Sequence, residues 1–189
     1  MTASKGPFTV IVQCGVNRGA TVGLGEAGAQ RAGIQMELIE LLNPDDVVPD
    51  LSVCSKRQLL EMLAARAAEA LGVPAERVFD VLMERESVGT TGIGRGVAIP
   101  HGRLAKLARP HALFARLREP VAFDSVDNRP VDLVFVLLAP DAMGAEHLNA
   151  LARISRLLRD NSICERLRQA ASAADIYLTL AQAAPSQAA

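Results

Sequence analysis

Val131-Asp132-Leu133-Val134-Phe135-Val136-Leu137-Leu138-Ala139 is the most informative segment of the chain for predicting its fold. It is nearly continuous in apolar side chains, and the turn residues Asp127-Asn128-Arg129-Pro130 come directly before it. A strand that is apolar on both of its faces is typical of a sheet that is covered on both sides. We therefore predict that this stretch forms a strand buried between two layers of other elements.

Helix and strand patterns on either side of this strand complete the prediction. Ser55, with Gln58 three residues later, predicts the start of a helix that ends at Gly72 and Pro74. The other predicted elements are a helical turn at Glu37–Leu42, helices at Pro74–Glu86, Ala145–Arg159, Ile163–Ala170 and Ala173–Ala183, and extended segments at Asp46–Leu51, Val97–Pro100 and His111–Leu117. Helices, then strands, then helices predict a single α/β (α+β) domain, a three-layer α/β/α sandwich around a mixed β-sheet.

Changes in composition along the chain predict the domain boundaries. Residues 1–35 are rich in glycine and lack helical or strand periodicity, which predicts a flexible N-terminal extension. The globular pattern covers residues 36–183, and the Pro/Ser/Gln/Ala tail at 184–189 is expected to be frayed. The extension contains a G-x-G-x-x-G string at Gly23–Gly28, but the pattern predicts no strand before it and no convincing helix after it. This string is therefore only a weak sign of nucleotide binding.

Charge and composition exclude several classes of protein. The 189 residues include 20 basic and 21 acidic side chains, whereas a protein that neutralises nucleic-acid phosphates normally has a basic excess. The longest apolar run, Leu133–Ala139, is far shorter than the ~18 residues that a membrane helix needs. The three cysteines are far apart and form no Cys-x-x-Cys pair, and the N-terminus does not fit a signal peptide. We therefore expect a cytoplasmic protein with reduced thiols that neither binds nucleic acid nor inserts into a membrane.

The most unusual local sequence is Val88-Gly89-Thr90-Thr91-Gly92-Ile93-Gly94-Arg95-Gly96-Val97-Ala98-Ile99-Pro100-His101-Gly102-Arg103. Glycines allow successive backbone N–H groups to point into one concavity that attracts anions, and threonine hydroxyls can add donors. The residues predicted to form this anion-binding loop are Thr90, Thr91, Gly92, Gly94 and Gly96. Pro100 fixes the backbone just before His101, and Gly102 leaves the far side of His101 uncrowded. The pattern predicts a histidine held rigidly at the mouth of a site.

The chemistry around His101 favours a phosphoryl group over an acyl group. An imidazole with an ordinary pKa of ~6.5 can be neutral, and so nucleophilic, at cytoplasmic pH. The nearby arginines Arg85, Arg95 and Arg103 suit a transferable dianion. The chain has neither a G-x-S-x-G elbow for acyl transfer nor a G-x-x-x-x-G-K-[ST] loop for ATP. From these residues alone, a tight turn with a capping histidine remains open as the alternative.

A resemblance to a known family strengthens the phosphoryl interpretation. The stretch Arg85–Arg103 resembles the active-site signature of the fructose/mannitol-type enzyme IIA (EIIA type 2) of the bacterial phosphotransferase system (PTS). Further similarity lies in Pro120–Asp124, Asp127–Pro140 and His147-Leu148, and the likeness extends over Met36–Ala183. The opening segments Leu38–Leu42 and Ser55–Leu60 are most similar to the nitrogen-regulatory branch of that family, whereas residues 1–35 have no counterpart.

The resemblance implies a phosphotransferase that works as one member of a phosphohistidine relay. His101 would accept the phosphoryl group from an HPr-like phosphocarrier protein, Arg85 would stabilise its charge, and His147 would bind the group or position His101. The other ring nitrogen of His101 should donate to a backbone carbonyl, which fixes the tautomer. Neither a metal nor another cofactor is implied. The regulatory targets suggested by the family are potassium transporters or sensor kinases.

Two other functions and one other site remain as alternatives. The chain could be a sugar-specific enzyme IIA that passes the phosphoryl group to a IIB domain, or an interaction module that only binds. Three histidines could also form a zinc site, but His101, His111 and His147 lack ligand-like spacing. His111 matches no functional position and is predicted to be structural.

Overall fold

The computed structural model of the protein describes residues 38–183. Six helices occur among them: α1 (Leu38–Leu41), α2 (Lys56–Leu71), α3 (Ala75–Val88), α4 (Ala145–Leu158), α5 (Asn161–Gln169) and α6 (Ala173–Ala183). The strands of the same part of the chain are β1 (Leu42–Leu51), β2 (Gly92–Gly94), β3 (Val97–Ala98), β4 (His101–Leu104), β5 (His111–Val121) and β6 (Val131–Pro140). The predicted extension at 1–35 with its G-x-G-x-x-G string, and the predicted frayed tail at 184–189, lie outside the described residues.

The predicted buried strand, β6, is the central strand of the sheet and pairs with three others. The strand order is β1-β5-β6-β3-β2, and β4 also pairs with β6. Strand β6 runs antiparallel to β5 and parallel to β3 and β4, while β1 is parallel to β5 and β2 is antiparallel to β3. The predicted mixed sheet is therefore confirmed.

Alternate side chains of β6 pack into two separate apolar clusters, one on each face of the sheet. One cluster joins Leu133, Phe135 and Leu137 to residues of the later helices, including Ile154, Leu167 and Ile176. The other joins Val134, Val136 and Leu138 to residues of α2 and α3, including Leu59, Leu63 and Leu82. Because β6 is buried on both faces, its continuous apolar pattern correctly predicted the three-layer α/β/α sandwich.

Helix α2 begins and ends where its sequence predicts. The Ser55 hydroxyl accepts a hydrogen bond from the backbone N–H of Gln58, and the Gln58 side chain accepts one from the N–H of Cys54, one residue before the N-cap. Gly72 ends the helix in the left-handed region, at a φ of 65°, where glycine has no Cβ atom to clash.

Within residues 38–183, no helix is both long and apolar enough to cross a bilayer.

The segment that carries His101 differs from the prediction in one respect. The predicted strand Val97–Pro100 ends at Ala98, and His101 begins the separate strand β4 instead of closing the first one. Both strands lie on β6 in one register, since the partners of Val97 and His101 on β6 are Leu133 and Leu137. Proline has no N–H to donate, which accounts for the interruption just before His101.

Candidate functional site

His101 lies at the first residue of β4, and the contacts of its ring define its tautomer. Nδ1 lies 2.8 Å from the carbonyl oxygen of Ile99, and Nε2 lies 3.0 Å from Nε of Arg85. A carbonyl can only accept a hydrogen bond and a guanidinium can only donate one. Nδ1 therefore carries the proton and Nε2 offers its lone pair. The predicted contact of His101 with a backbone carbonyl is confirmed.

Arg85 reaches His101 from the last turn of α3. In addition to the bond to His101, its Nη1 donates to the carbonyl oxygen of Gly89 at 2.9 Å, just beyond the end of the helix. The guanidinium is thus held by two acceptors, one on the imidazole and one at the end of its own helix. A cation in the last turn is also favourable for the helix dipole. The pairing over sixteen residues agrees with the predicted grouping of Arg85 with His101.

His147 approaches the same imidazole from the opposite layer of the sandwich. It lies in the first turn of α4 and is 5% exposed, and its ring centroid is 5.8 Å from that of His101 with the rings tilted by 50°. Its Nδ1 is buried without a hydrogen-bond partner among residues 38–183. A buried polar atom without a partner is costly, so the fold retains His147 at a stability cost. The three predicted residues Arg85, His101 and His147 therefore meet at one site.

Both imidazoles of the site favour the neutral form. Burial lowers the pKa of His101 below its ordinary value of 6.5, and Arg85 lowers it further, while the Ile99 carbonyl and Glu86 oppose the shift. Burial likewise lowers the pKa of His147, with smaller contributions from His101 and Arg103. At neutral pH the Nε2 lone pair of His101 is therefore available for nucleophilic attack.

We expect the protein to lose stability as the pH falls below about 6.5. The unfolded chain binds protons on its histidines in this range, whereas burial keeps His101, His111 and His147 neutral in the fold. Urea unfolding at about pH 7.5 and about pH 5.5 measures this difference. His147→Gln should show a smaller fall between the two conditions. A free energy of unfolding that stays level or rises on acidification would contradict this pH dependence.

The threonines of the predicted anion-binding loop are engaged by the protein itself. Both the backbone N–H and the hydroxyl of Thr91 donate to the Glu86 carboxylate. The Thr90 hydroxyl donates to the carbonyl of Phe123 and accepts from the N–H of Gly92. These bonds fix the loop between α3 and β2, so the donors of Thr91 and Gly92 order the loop instead of facing an open concavity.

Gly94 and Gly96 are not brought next to His101, contrary to the predicted nest. They flank the turn between β2 and β3 at φ values of 92° and 79°. Val97, which follows this turn, pairs with β6 four residues before the partner of His101. At ~3.3 Å per residue, roughly 13 Å of strand separates the two positions. The register of β3 on β6 therefore places this turn toward the start of β6, away from His101. The candidate site, as we define it, does not include Gly94 and Gly96.

A buried ion pair that the sequence reasoning missed supports the site. The Glu86 side chain, 4% exposed, pairs with Nζ of Lys56 at 2.8 Å. Burial opposes the charge of Lys56, but Glu86 and Asp124 hold its pKa above the ordinary value. The only sequence signal for Glu86 was its position beside Arg85, and its partner lies thirty residues earlier on α2. No local pattern could have paired the two.

Gly102 allows α3 to approach β4 closely. A Cβ atom at Gly102 would overlap Cγ1 of Val81, and Val81 is a β-branched residue with little rotamer freedom in a helix. Val81 and Arg85 are four residues apart and so share one face of α3. The absence of a side chain at Gly102 therefore helps to set the distance between Arg85 and His101.

Gly102→Ala should destabilise the fold by about 1–3 kcal/mol, the usual cost of overpacking. It should also slow the chemistry at His101, because α3 must move away and take Arg85 with it. Urea unfolding measures the first effect. The rate at which His101 is phosphorylated by the carrier that the family resemblance implies, measured on the same samples, tests the second. The matched control is Gly102→Ala combined with Val81→Ala, which removes the Cγ1 atom that the added Cβ would overlap and should recover part of the loss. Unchanged stability and rate in Gly102→Ala would contradict the close approach.

His111 is apart from the other two histidines. It pairs with Leu138 of β6, whose side chain packs on the α2–α3 face, whereas His101 pairs with Leu137, which packs on the other face. Its Nε2 faces the buried Asp46 at 3.5 Å. In the described part of the chain, no three His, Cys, Asp or Glu side chains are grouped so that they could hold a metal ion. His111 therefore lies apart from His101 and His147, and among the described residues the three histidines are not grouped as a zinc site requires.

Comparison with known proteins gives consistent matches over this region. Residues 40–183 match the family model described as "Phosphoenolpyruvate-dependent sugar phosphotransferase system, EIIA 2". The nitrogen regulatory protein of Bradyrhizobium diazoefficiens is 53% identical over 146 residues, which cover 77% of this chain and 95% of that protein. The fructose-specific EIIA component of Haloferax volcanii is 34% identical over 148 residues, covering 78% of this chain and 91% of that one.

A solved structure agrees with the fold. The crystal structure of the nitrogen regulatory protein IIA-Ntr from Neisseria meningitidis superposes with a TM-score of 0.73 at 38% sequence identity. The match covers 75% of this chain and 97% of the Neisseria chain. The similarity thus extends over nearly the whole of the solved Neisseria chain.

Proposed function

The chain belongs to the EIIA type 2 family of the phosphotransferase system, and from this premise we propose that it is a regulatory phosphocarrier whose acceptor is Nε2 of His101. The observation that carries the proposal is the pair of ring contacts of His101. The Ile99 carbonyl holds the proton on Nδ1, and the lone pair of Nε2 points toward Arg85. An HPr-like carrier with a phosphohistidine is the proposed donor.

The transfer needs no change in the total charge of the two rings. The lone pair of Nε2 forms a bond to phosphorus while the P–N bond of the donor breaks, and that electron pair returns to the donor imidazole. The Nδ1 proton of His101 stays in place, so the phosphorylated ring carries a positive charge that the Ile99 carbonyl stabilises. Because one P–N bond replaces another through a loose transition state, positioning and charge stabilisation supply most of the catalysis.

Arg85 and His147 have complementary parts in this proposal. Arg85 already donates to Nε2, so its N–H groups must pass from the nitrogen to the phosphoryl oxygens as the new bond forms. His147 has a buried Nδ1 without a partner in residues 38–183, and a phosphoryl oxygen or a bridging water would satisfy it. Arg85 is thus a phosphoryl-binding residue and His147 binds the group or positions His101.

Regulation is favoured over sugar transport by the nature of the relatives. The relative that is 53% identical is named a nitrogen regulatory protein, whereas the fructose-specific relative is 34% identical. We therefore place the chain in the regulatory branch, with the phosphoryl charge of about −2 as the signal. Targets of the class implied by the sequence resemblance, potassium transporters or sensor kinases, would distinguish the two charge states. A sugar-specific enzyme IIA is the second candidate, and it would pass the group on to a IIB domain.

The experiment is a phosphorylation assay with purified components. The protein is incubated with phosphoenolpyruvate, enzyme I and an HPr-like carrier, and the expected product is an acid-labile phosphate on the chain. Leaving out the carrier should prevent labelling. Adding a IIB domain to the labelled protein separates the two candidates, since rapid loss of the label to IIB would favour sugar transport. A chain that takes no label from the complete system would overturn the phosphocarrier role and leave only the binding module.

A further inference from the structure

Arg103 lies two residues after His101 and has no part yet in the proposed chemistry. It pairs with Ala139 of β6 in the parallel register that pairs His101 with Leu137. Alternate residues of a strand share a face and lie roughly 6.6 Å apart along it. Leu137 packs on the face covered by α4, whereas Gly102, between the two residues, meets Val81 of α3. His101 and Arg103 therefore project toward the layer that contains His147.

Arg103 differs from Arg85 in its partners. Arg85 is engaged by His101 and Gly89, whereas Arg103 is exposed and, within residues 38–183, makes no hydrogen bond and joins no ion pair. Its charge is nevertheless felt at the site, because it contributes to lowering the pKa of His147. A guanidinium without a partner beside two neutral imidazoles is suited to bind an incoming dianion.

We propose that Arg103 is a second phosphoryl-binding residue, which binds the oxygens of the phosphoryl group on His101 from the side opposite Arg85. The inference rests on the proposed function, since it requires that His101 carry the group. Arg85 comes from α3, on one face of the sheet, and Arg103 projects from β4 toward the other face, so the two guanidinium groups would hold the dianion from opposite sides. Charge-assisted bonds of this kind stabilise the phosphorylated state relative to the free one.

The test is the equilibrium of phosphoryl transfer between the carrier and the chain. Arg103→Ala should shift this equilibrium toward the carrier by about tenfold or more, and Arg103→Lys should recover part of the loss because it keeps the charge without the bidentate geometry. Phosphorus NMR titration supplies a second readout, because removal of the cation should raise the pKa of the phosphoryl group. A residue with only a structural role would not change that pKa. Arg109→Ala, an exposed arginine six residues later, is the control.

The outcomes separate this inference from the proposed function. If wild type is labelled and Arg103→Ala reaches the same equilibrium with the same phosphoryl pKa, the role of Arg103 is overturned and the phosphocarrier role stands. If wild type takes no label, both are overturned. Far-ultraviolet circular dichroism confirms that the variants are folded, and Arg103→Gln gives the same comparison should the alanine variant unfold.

Discussion

Replacing His101 by alanine should abolish phosphoryl transfer to the chain, reducing the label to the background of a reaction without enzyme. The expected loss is complete because, in the proposed transfer, phosphorus bonds directly to this imidazole and alanine leaves no nucleophile in its place. The measurement is acid-labile phosphate after incubation with phosphoenolpyruvate, enzyme I and the carrier.

Comparison with His147 variants makes this result specific. His147→Gln should still take up label, more slowly, because the variant keeps the acceptor and loses only a group beside it. The ring centroid of His147 is 5.8 Å from that of His101, so the two roles could be exchanged if the assignment were mistaken. Full labelling of His101→Ala would show that the acceptor lies elsewhere. If His147→Gln then lost all of its label, the acceptor would be His147.

The second large effect is expected on stability, from Phe135→Ala. The side chain of Phe135 is fully buried at the middle of β6 and packs edge-on against Phe114, with ring centroids 6.3 Å apart. Truncation of such a residue removes apolar burial and leaves a cavity, which together cost about 3–5 kcal/mol. Urea unfolding monitored by circular dichroism measures the loss.

Two further variants control this experiment. Phe135→Leu refills much of the volume and should cost less than the alanine variant. Leu178→Ala, on a half-exposed residue of α6, should cost far less than Phe135→Ala. If Phe135→Ala were no more destabilising than Leu178→Ala, β6 would not be the centre of the core.

The sequence predicted the fold well where single elements carry their own signal. Leu133–Ala139 is apolar at every position, which is typical of a strand covered on both faces. Together with the order of helices, strands and helices along the chain, this run predicted the three layers. The start of α2 was predictable because Ser55 and Gln58 are close in sequence. The separate strand that begins at His101 was not predictable, because Pro100 interrupts the apolar strand pattern just before it.

The candidate site was predictable for residues within a motif and not for contacts between distant elements. Arg85 and His101 belong to one stretch of sequence, and His147 came from the family resemblance. The pairing of Lys56 with Glu86 joins two helices, and the position of Gly96 depends on the register of β3. Both depend on tertiary packing, which composition and periodicity do not record.

The helices on one face of the sheet carry Arg85 and those on the other face carry His147, so the rate of the proposed reaction should depend on the thickness of the sandwich. Arg85 is carried by α3 and His147 by α4, and the sheet that separates them carries His101. Bulkier or smaller core side chains between a helix and the sheet would widen or narrow the gap that the dianion must fill. Reactivity can thus be tuned by interior substitutions that never touch a reacting atom.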